Sequence, residues 1–257
     1  MKSILNMLFG GSSGEAKPIN PSPPAPPPVL QKKEDIWNKI IQILNVWETG
    51  TIDGRPSLIS IFHDGYRGRK QVTLGVGFTE DGGNLKRVVE RYINKGGKYS
   101  NFFAPYLPNM GNTSKPSLVG DASFLETLKK SSKEDDLMIE SQKEIFEEIY
   151  LASAKKFVKE NEFLKPISWL VFCDSALHSG QPAPGWIRKT FPEKTPKNGG
   201  DEIQYVRAYL KARRNWLKSK GGILAKTTYR VENIINHLES GDIDLNKPFY
   251  ANGVWVP

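Results

Sequence analysis

The chain has 257 residues, 38% of them apolar, and its 36 basic and 28 acidic residues give a net charge of +8. This length and apolar content allow a full hydrophobic core, which excludes a wholly disordered chain. The single cysteine, Cys173, excludes an intrachain disulfide, and three scattered histidines without metal-ligand spacing predict no metal and no other cofactor. The basic balance favours a polyanionic or wall-associated partner without identifying one.

Residues 1–32 are predicted to be a flexible segment with a proline-rich linker. Seven of the eighteen prolines lie between Gly10 and Leu30, and such a composition favours a semi-rigid polyproline-type linker that buries no core. The apolar run at the start is interrupted by Asn6, is too short for a membrane span and matches a secretion signal poorly. We therefore predict one globular domain over 33–257, no membrane span, and a tether or delivery partner for residues 1–30.

Residues 35–48 have the periodicity of an amphipathic helix that ends at Glu48. Its apolar stripe consists of Ile36, Ile40, Ile43, Leu44 and Trp47. Glu48 follows this stripe directly and precedes a Thr-Gly turn, so apolar walls favour its protonated form. A carboxyl group in that state has the property that a general acid needs.

Residues 57–62 and 71–78 read as short strands joined by a glycine-rich turn that holds Asp64. Asp64 lies among glycines and cations, where a carboxylate stays ionised. A protonated and an ionised carboxyl group, here Glu48 and Asp64, are the pair of catalytic groups that a glycosidase uses.

The rest of the chain is predicted to be mostly helical, with a loop at 102–117. The predicted helices cover 84–94, 123–130, 141–160, 166–178, 200–219 and 227–239. The fold class is therefore mainly α (α+β), with one small β-region near the N-terminal end. Since strands and helices do not alternate, a dinucleotide-binding fold is excluded.

Three charged residues, Asp174, Arg213 and Arg230, fall on the apolar faces of their predicted helices. Because an unpaired buried charge is costly, we expect them to form an Arg-Asp-Arg cluster. Such a cluster is either purely architectural or sets the electrostatics around a nearby catalytic carboxylate.

Several segments resemble chitosanases of glycoside hydrolase family 46. They are residues 75–85, 172–177, 185–190, 195–202, 209–214 and 241–246, together with Glu48. The similarity covers most of 33–257 and is strongest between Asp174 and Asn246.

The resemblance implies a lysozyme-like fold of two mostly helical lobes with a substrate cleft between them. It also implies inverting cleavage of β-1,4-linked amino sugars, with Glu48 as general acid and a second carboxylate, roughly 6.5–9.5 Å or more away, as general base. Asp174, Arg213 and Arg230 fall on the family's Arg-Asp-Arg network.

Two departures from the family pattern concern the base and the substrate. The residues around Asp64 differ from the family's arrangement, so Asp64 is the predicted base with Glu80 and Asp81 as alternatives. Asn84 stands where chitosanases carry an acidic residue, and a neutral amide suits N-acetylglucosamine or another uncharged sugar. The predicted substrate-binding residues are Tyr66, Arg69, Thr79 and Asn84.

The leading hypothesis is an endo-acting glycoside hydrolase of chitosan-like glycan or peptidoglycan, acting outside the cell or in the periplasm or cell wall. The alternative is a non-catalytic glycan-binding protein on the same fold. A nucleic-acid partner is not predicted, because the basic cluster of Arg67, Arg69 and Lys70 has no aromatic series beyond Tyr66.

Overall fold

The computed structural model describes residues 33–257, which divide into two compact units. One unit contains residues 33–52 and 150–257, and the other contains residues 53–149. The predicted linker, 1–32, lies outside the described residues, so its role stays a prediction. Between residues 33 and 257, no helix has the length and apolar character that crossing a membrane requires.

The chain is mainly helical, as the sequence predicts. Its first elements are α1 (Lys33–Thr49), β1 (Ile59–Phe62), β2 (Gln71–Leu74), β3 (Phe78–Thr79), α2 (Asn84–Asn94), α3 (Ser100–Phe103), α4 (Ala122–Glu134) and α5 (Asp136–Phe146). A π-helical turn, Glu147–Leu151, precedes α6 (Ala152–Glu160), α7 (Pro166–Ser179), α8 (Gly185–Arg188), α9 (Glu202–Lys220), α10 (Gly222–Lys226), α11 (Thr228–Glu239), β4 (Phe249–Ala251) and β5 (Val254–Val256).

Several details differ from the sequence-based prediction, and one of them is that the predicted loop 102–117 begins with helical residues, since α3 ends at Phe103 and a 3-10 turn covers Ala104–Tyr106. The predicted strand 71–78 stops at Leu74, because Gly75 and Gly77 take positive φ angles of 53° and 127° and turn the chain back into β3. The predicted helix 141–160 is two helices separated by the π-helical turn. A second sheet, the antiparallel pair β4 and β5, also exists, so the prediction of a single β-region is incomplete.

In the unit of residues 53–149, a three-stranded antiparallel sheet of order β1-β2-β3 carries the turn that holds Asp64. Ile59 lies opposite Leu74 and Phe62 opposite Gln71, so the turn of residues 63–70 connects the ends of β1 and β2. The core of this unit is built from the sheet and α2 together with α4 and α5. Its buried apolar residues include Val72, Leu74, Phe78, Leu85, Val88, Val89 and Tyr92 from the sheet and α2, and Phe124, Leu128, Met138, Ile145 and Phe146 from α4 and α5.

In the other unit, α7 is the central helix, and eleven of its fourteen residues are buried. It begins with Pro166, whose fixed φ suits a first helical position. Aromatic rings from neighbouring segments surround Phe172, including Phe163 at 4.8 Å and Tyr209 at 5.5 Å between ring centroids. A helix buried on nearly all sides places its polar residues in the core, which is where Asp174 lies.

Asp174, Arg213 and Arg230 are all buried and make the contacts that their inward positions predict. Arg213 Nη1 pairs with Asp174 Oδ2, while Arg230 contacts Asp174 Oδ1 through Nε at 2.7 Å and Nη2 at 2.5 Å. Burial alone would raise the pKa of Asp174, but the two guanidiniums lower it to about 2. The ionised carboxylate therefore joins α7 to α9 and α11.

His178 lies one turn after Asp174 and is also buried. Within residues 33–257, neither of its ring nitrogens has a hydrogen-bond partner. Burial lowers the pKa of His178 to about 3, and Arg230 and Arg213 act in the same direction against the opposite effect of Asp174. The imidazole is therefore neutral at physiological pH.

We predict that His178→Leu flattens the pH dependence of stability in weak acid. An unfolded chain protonates its imidazole below about pH 6.5, whereas the folded chain keeps His178 neutral down to about pH 3. Between these two pH values the unfolded state binds more protons than the folded state. The free energy of unfolding of the wild type is therefore unreduced above this pH range and falls as the pH falls through it. Urea unfolding at several pH values between 7 and 4 measures the effect.

The control is His63→Leu, which removes an exposed imidazole and should keep the wild-type pH dependence. Because no nitrogen of His178 is hydrogen-bonded within the described chain, leucine should be tolerated at pH 7. Identical pH dependence in the wild type and His178→Leu would contradict the prediction.

Candidate active site

Glu48 lies in the last turn of α1, and the residues after it end the helix. The Thr49 hydroxyl donates to the Asn45 carbonyl at 2.8 Å. Gly50, with a φ of 77°, donates its N–H to the Val46 carbonyl at 2.9 Å. This left-handed closure is a common helix terminus and fixes where the Glu48 side chain leaves the backbone.

The Glu48 carboxyl is 5% exposed and accepts a hydrogen bond from Arg230 Nη1 at 2.6 Å on Oε1. The same guanidinium lies 5.3 Å from the ring centre of Trp47, which is itself buried. The surroundings of Glu48 are therefore not purely apolar, as the sequence alone suggests, but combine apolar walls with one cation.

Glu48, Arg230, Asp174 and Arg213 form one continuous buried chain of alternating charges. Burial would lower the pKa of Arg230, but Asp174 and Glu48 raise it above its usual range. Tyr229, which the sequence analysis did not select, also belongs to these surroundings. Burial raises the pKa of its phenol, with Glu48 among the charges that add to the effect.

The turn that holds Asp64 has a backbone conformation set by its glycines. Gly65 N–H donates to the Arg69 carbonyl at 3.1 Å and Gly68 N–H donates to the Gly65 carbonyl at 2.9 Å. A Cβ atom at Gly65 would collide with Asp81 Oδ2. Only glycine therefore fits where the turn packs on the Asp81 carboxylate.

Asp81 and Arg69 hold this turn in place. The Asp81 carboxylate accepts from Arg69 Nε at 2.8 and 3.0 Å, pairs with Arg69 Nη2, and accepts from the Tyr66 N–H at 2.7 Å. Burial would raise the pKa of Asp81, but the Arg69 and Tyr66 hydrogen bonds lower it. Arg69 Nη1 donates to the carbonyls of Lys115 at 2.6 Å and Thr113 at 3.3 Å. All three donor nitrogens of Arg69 thus contact protein groups.

Glu80 is 1% exposed, and its hydrogen bonds are also made within the fold. Its carboxylate accepts from the N–H of Val72 at 3.3 Å, the N–H of Leu118 at 2.9 Å and the Ser117 hydroxyl at 2.7 Å. These contacts connect β2 to the segment that precedes α4.

Asp64 is half-buried and has fewer partners than Glu80 or Asp81. Within the described part of the chain, its carboxylate accepts one hydrogen bond, from Gln71 Nε2 at 2.9 Å. The other end of that amide, Gln71 Oε1, accepts from the Asp81 N–H at 2.9 Å. Gln71 therefore orients Asp64 against a fixed backbone group. The sequence analysis did not select Gln71. A polar residue at the first position of a buried strand could have indicated a side chain with a specific hydrogen-bonding role.

The structure places Tyr66 beside Asp64 in the same turn, with its ring 51% exposed. Thr79 ends β3, and Asn84 is the first residue of α2 after Gly83, whose φ is 74°. Both side chains are half-buried. The predicted contacts of Tyr66, Arg69, Thr79 and Asn84 with substrate stay predictions. In residues 33–257, no group of three His, Cys, Asp or Glu side chains is arranged to hold a metal ion.

Comparison with known proteins identifies the fold and the family. The family model described as glycosyl hydrolase family 46 matches residues 42–249. A family 46 chitosanase from Gynuella sunshinyii, solved with chitotetraose, superposes with a TM-score of 0.67 at 20% identity, covering 88% of this chain and 99% of its own. The native chitosanase of Bacillus subtilis MY002 gives 0.66 at 19% identity, with the same coverage of both chains. No curated protein matches the chain in sequence.

These matches confirm the predicted lysozyme-like fold. Because the family model spans most of the sequence and the fold agrees with it, this chain belongs to glycosyl hydrolase family 46 and is a glycosidase.

Proposed function

We propose that this glycosidase is an endo-acting enzyme that cleaves β-1,4 bonds of amino-sugar polymers, chitosan-like glycan or peptidoglycan, with inversion. The observation that carries the proposal is the buried Glu48 carboxyl, held by Arg230 at the end of a network that includes Asp174 and Arg213. Solved relatives of the same fold were captured with chitotetraose and with six glucosamine units, which supports an amino-sugar substrate.

In the proposed mechanism, Glu48 gives its proton to the glycosidic oxygen as the bond to the anomeric carbon breaks. Asp64 takes a proton from a water molecule, whose oxygen forms the new bond to that carbon from the opposite side. The products are a leaving alcohol that carries the Glu48 proton and a sugar of inverted configuration. Neither proton transfer needs a metal or cofactor.

The contacts of the three acidic residues support Asp64 as the base. The Glu80 carboxylate accepts three hydrogen bonds from other residues of the same unit, and the Asp81 carboxylate accepts hydrogen bonds from Arg69 and from the Tyr66 N–H. A carboxylate that accepts several fixed donors has little capacity left for a water molecule. Asp64 has one amide donor and is half-exposed, so it retains acceptor positions for the attacking water.

We further propose that Tyr66 stacks on a sugar ring and that Asn84 and Thr79 contact sugar hydroxyl or acetamido groups. Arg69 would act through the turn, because its donors already bind Asp81 and two carbonyls. The place of action would be extracellular, periplasmic or in the cell wall, where such polymers occur. Residues 1–30 would then tether the domain or deliver it.

We predict that Glu48→Gln and Asp64→Asn each lower kcat on soluble chitosan by about 10²- to 10⁴-fold. Each change keeps the size of the side chain and removes its proton transfer, which contributes a factor of this size in general acid–base catalysis. Reducing-end release and product anomer, followed by NMR, measure the rate and the stereochemistry.

The matched control is Asp53→Asn, which removes an exposed carboxylate from the same unit as Asp64 and should leave kcat unchanged. Wild-type rates for Glu48→Gln would disprove its role as the acid. Wild-type rates for Asp64→Asn would shift the base to another carboxylate while leaving the family assignment intact.

We predict that Asn84→Asp raises the preference for fully deacetylated over partly acetylated oligomers by roughly five-fold. A carboxylate would pair with the ammonium group of glucosamine, an interaction worth up to about 1 kcal/mol at a solvent-accessible site. The fold should tolerate the change, since a negative charge at the first residue of α2 suits the helix dipole. Relative kcat/KM on defined oligomers gives the preference.

Asn112→Asp is the control for the added charge, because Asn112 is an exposed residue of the same unit and its Oδ1 already accepts from the Ser114 N–H. An equal shift in both variants would mean that overall charge, and not a sugar contact at Asn84, sets the preference.

A further inference from the structure

A groove of about 600 Å³ lies along α9, between that helix and residues 186–193, which belong to α8 and the segment after it. Its size falls within the range of about 300–1,000 Å³ that is typical of small-ligand pockets. Asn215 lines it, two residues after the buried Arg213, and residues two apart on a helix point to opposite sides. The groove is therefore separate from the Glu48 network, and no member of that network lines it.

Two tryptophans form the apolar walls of the groove. Trp186 is 48% exposed, and its ring centroid lies 6.0 Å from that of Trp216 with an angle of 42° between the planes. The Lys220 ammonium lies 5.7 Å from the Trp216 ring centre, so Trp186 offers the more open ring. Exposed aromatic rings at an angle present large flat apolar surfaces, which match the apolar faces of pyranose rings.

A half-buried carboxylate, Glu193, also lines the groove. Glu193 Oε2 is covered by protein, and no residue between 33 and 257 gives it a hydrogen bond. A ligand in the groove therefore meets Glu193 through the part of its carboxylate that is not covered, where an ammonium group or hydroxyls would pair with the negative charge. Asn215 and Lys211 on the same groove add an amide and a cation for further hydroxyls.

The segment that carries Glu193 is fixed without any ligand. Arg188 donates from Nη1 to the Phe191 carbonyl at 2.7 Å and from Nη2 to the Glu193 carbonyl at 2.8 Å. The same guanidinium lies 4.7 Å from the ring centre of Phe191 and 5.3 Å from that of Tyr205. A preorganised wall lowers the entropy that binding must offset.

We propose that this groove is a second, non-catalytic binding site for a glucosamine-containing glycan, in which a sugar ring stacks on Trp186 and a donor group pairs with Glu193. The site would hold the polymer on the enzyme while another part of the same chain is cleaved. The identity of the polymer rests on the proposed function. The presence of the aromatic walls and of the carboxylate in the groove is independent of that function.

Retention on insoluble chitosan, measured with the Glu48→Gln variant as parent so that the polymer stays intact, tests the site. Adding Trp186→Ala should weaken retention roughly three- to ten-fold, as expected for loss of one aromatic contact. Adding Glu193→Gln should weaken retention on chitosan more than on chitin, because chitin lacks most ammonium groups. Glu193→Gln keeps the side-chain shape, so it tests the site even if the tryptophan variant folds poorly.

The control is Tyr250→Ala, which removes another exposed aromatic ring, paired with Trp255 at 5.1 Å, and should not change retention. With Glu48 restored, Trp186→Ala should raise KM on the polymer and leave turnover of short soluble oligomers unchanged. Retention equal to the parent for both Trp186→Ala and Glu193→Gln would overturn the inference, even if chitosan is cleaved. If no amino-sugar polymer is cleaved but retention depends on both residues, the groove assignment holds and the proposed function fails.

Discussion

The pairing of Arg230 with two carboxylates is the interaction on which the Glu48 region depends. A guanidinium that is 1% exposed is stable only if its charge is compensated nearby. Arg230 obtains one partner, Asp174, from α7 and the other, Glu48, from the end of α1. Because each of these contacts is directional, the pairing holds the end of α1 against α7 and α11. The same contact fixes the orientation of the Glu48 carboxyl group. The same ion pairs thus stabilise the fold and position the carboxyl group that we propose as the acid.

The turn around Asp64 uses a similar arrangement for a different purpose. Here the guanidinium of Arg69 is paired with Asp81, and the neutral amide of Gln71 bridges Asp81 and Asp64. The amide accepts from the Asp81 N–H and donates to the Asp64 carboxylate, and so orients Asp64. Among residues 33–257, no cation is bonded to the Asp64 carboxylate, which the Gln71 amide positions instead. Such surroundings suit the base role that we propose for Asp64, because a direct guanidinium contact would occupy the lone pairs of a base and weaken its affinity for a proton.

Sequence periodicity predicts the faces of helices well and the partners of side chains poorly. It showed Asp174, Arg213 and Arg230 as inward charges, but not that Arg230 reaches Glu48. It missed Lys39, which lies on the apolar face of α1 and donates to the carbonyls of Leu245 at 3.0 Å and Lys247 at 2.6 Å. A hydrogen bond to a backbone carbonyl more than 200 residues away cannot be predicted from the pattern of residue types. The hairpin of β4 and β5 could have been predicted, since its Asn-Gly turn is a strong signal.

Charge balance in the Glu48 network bears on the proposed role of Glu48 as the general acid. Glu48 and Asp174 carry two negative charges when ionised, and Arg213 and Arg230 carry two positive charges, while the nearby His178 is neutral. The network is therefore neutral when Glu48 is ionised and carries one positive charge when Glu48 holds a proton. In the proposed mechanism, transfer of that proton to the leaving oxygen returns the buried network to neutrality, so the same ions that hold Glu48 in place favour the transfer.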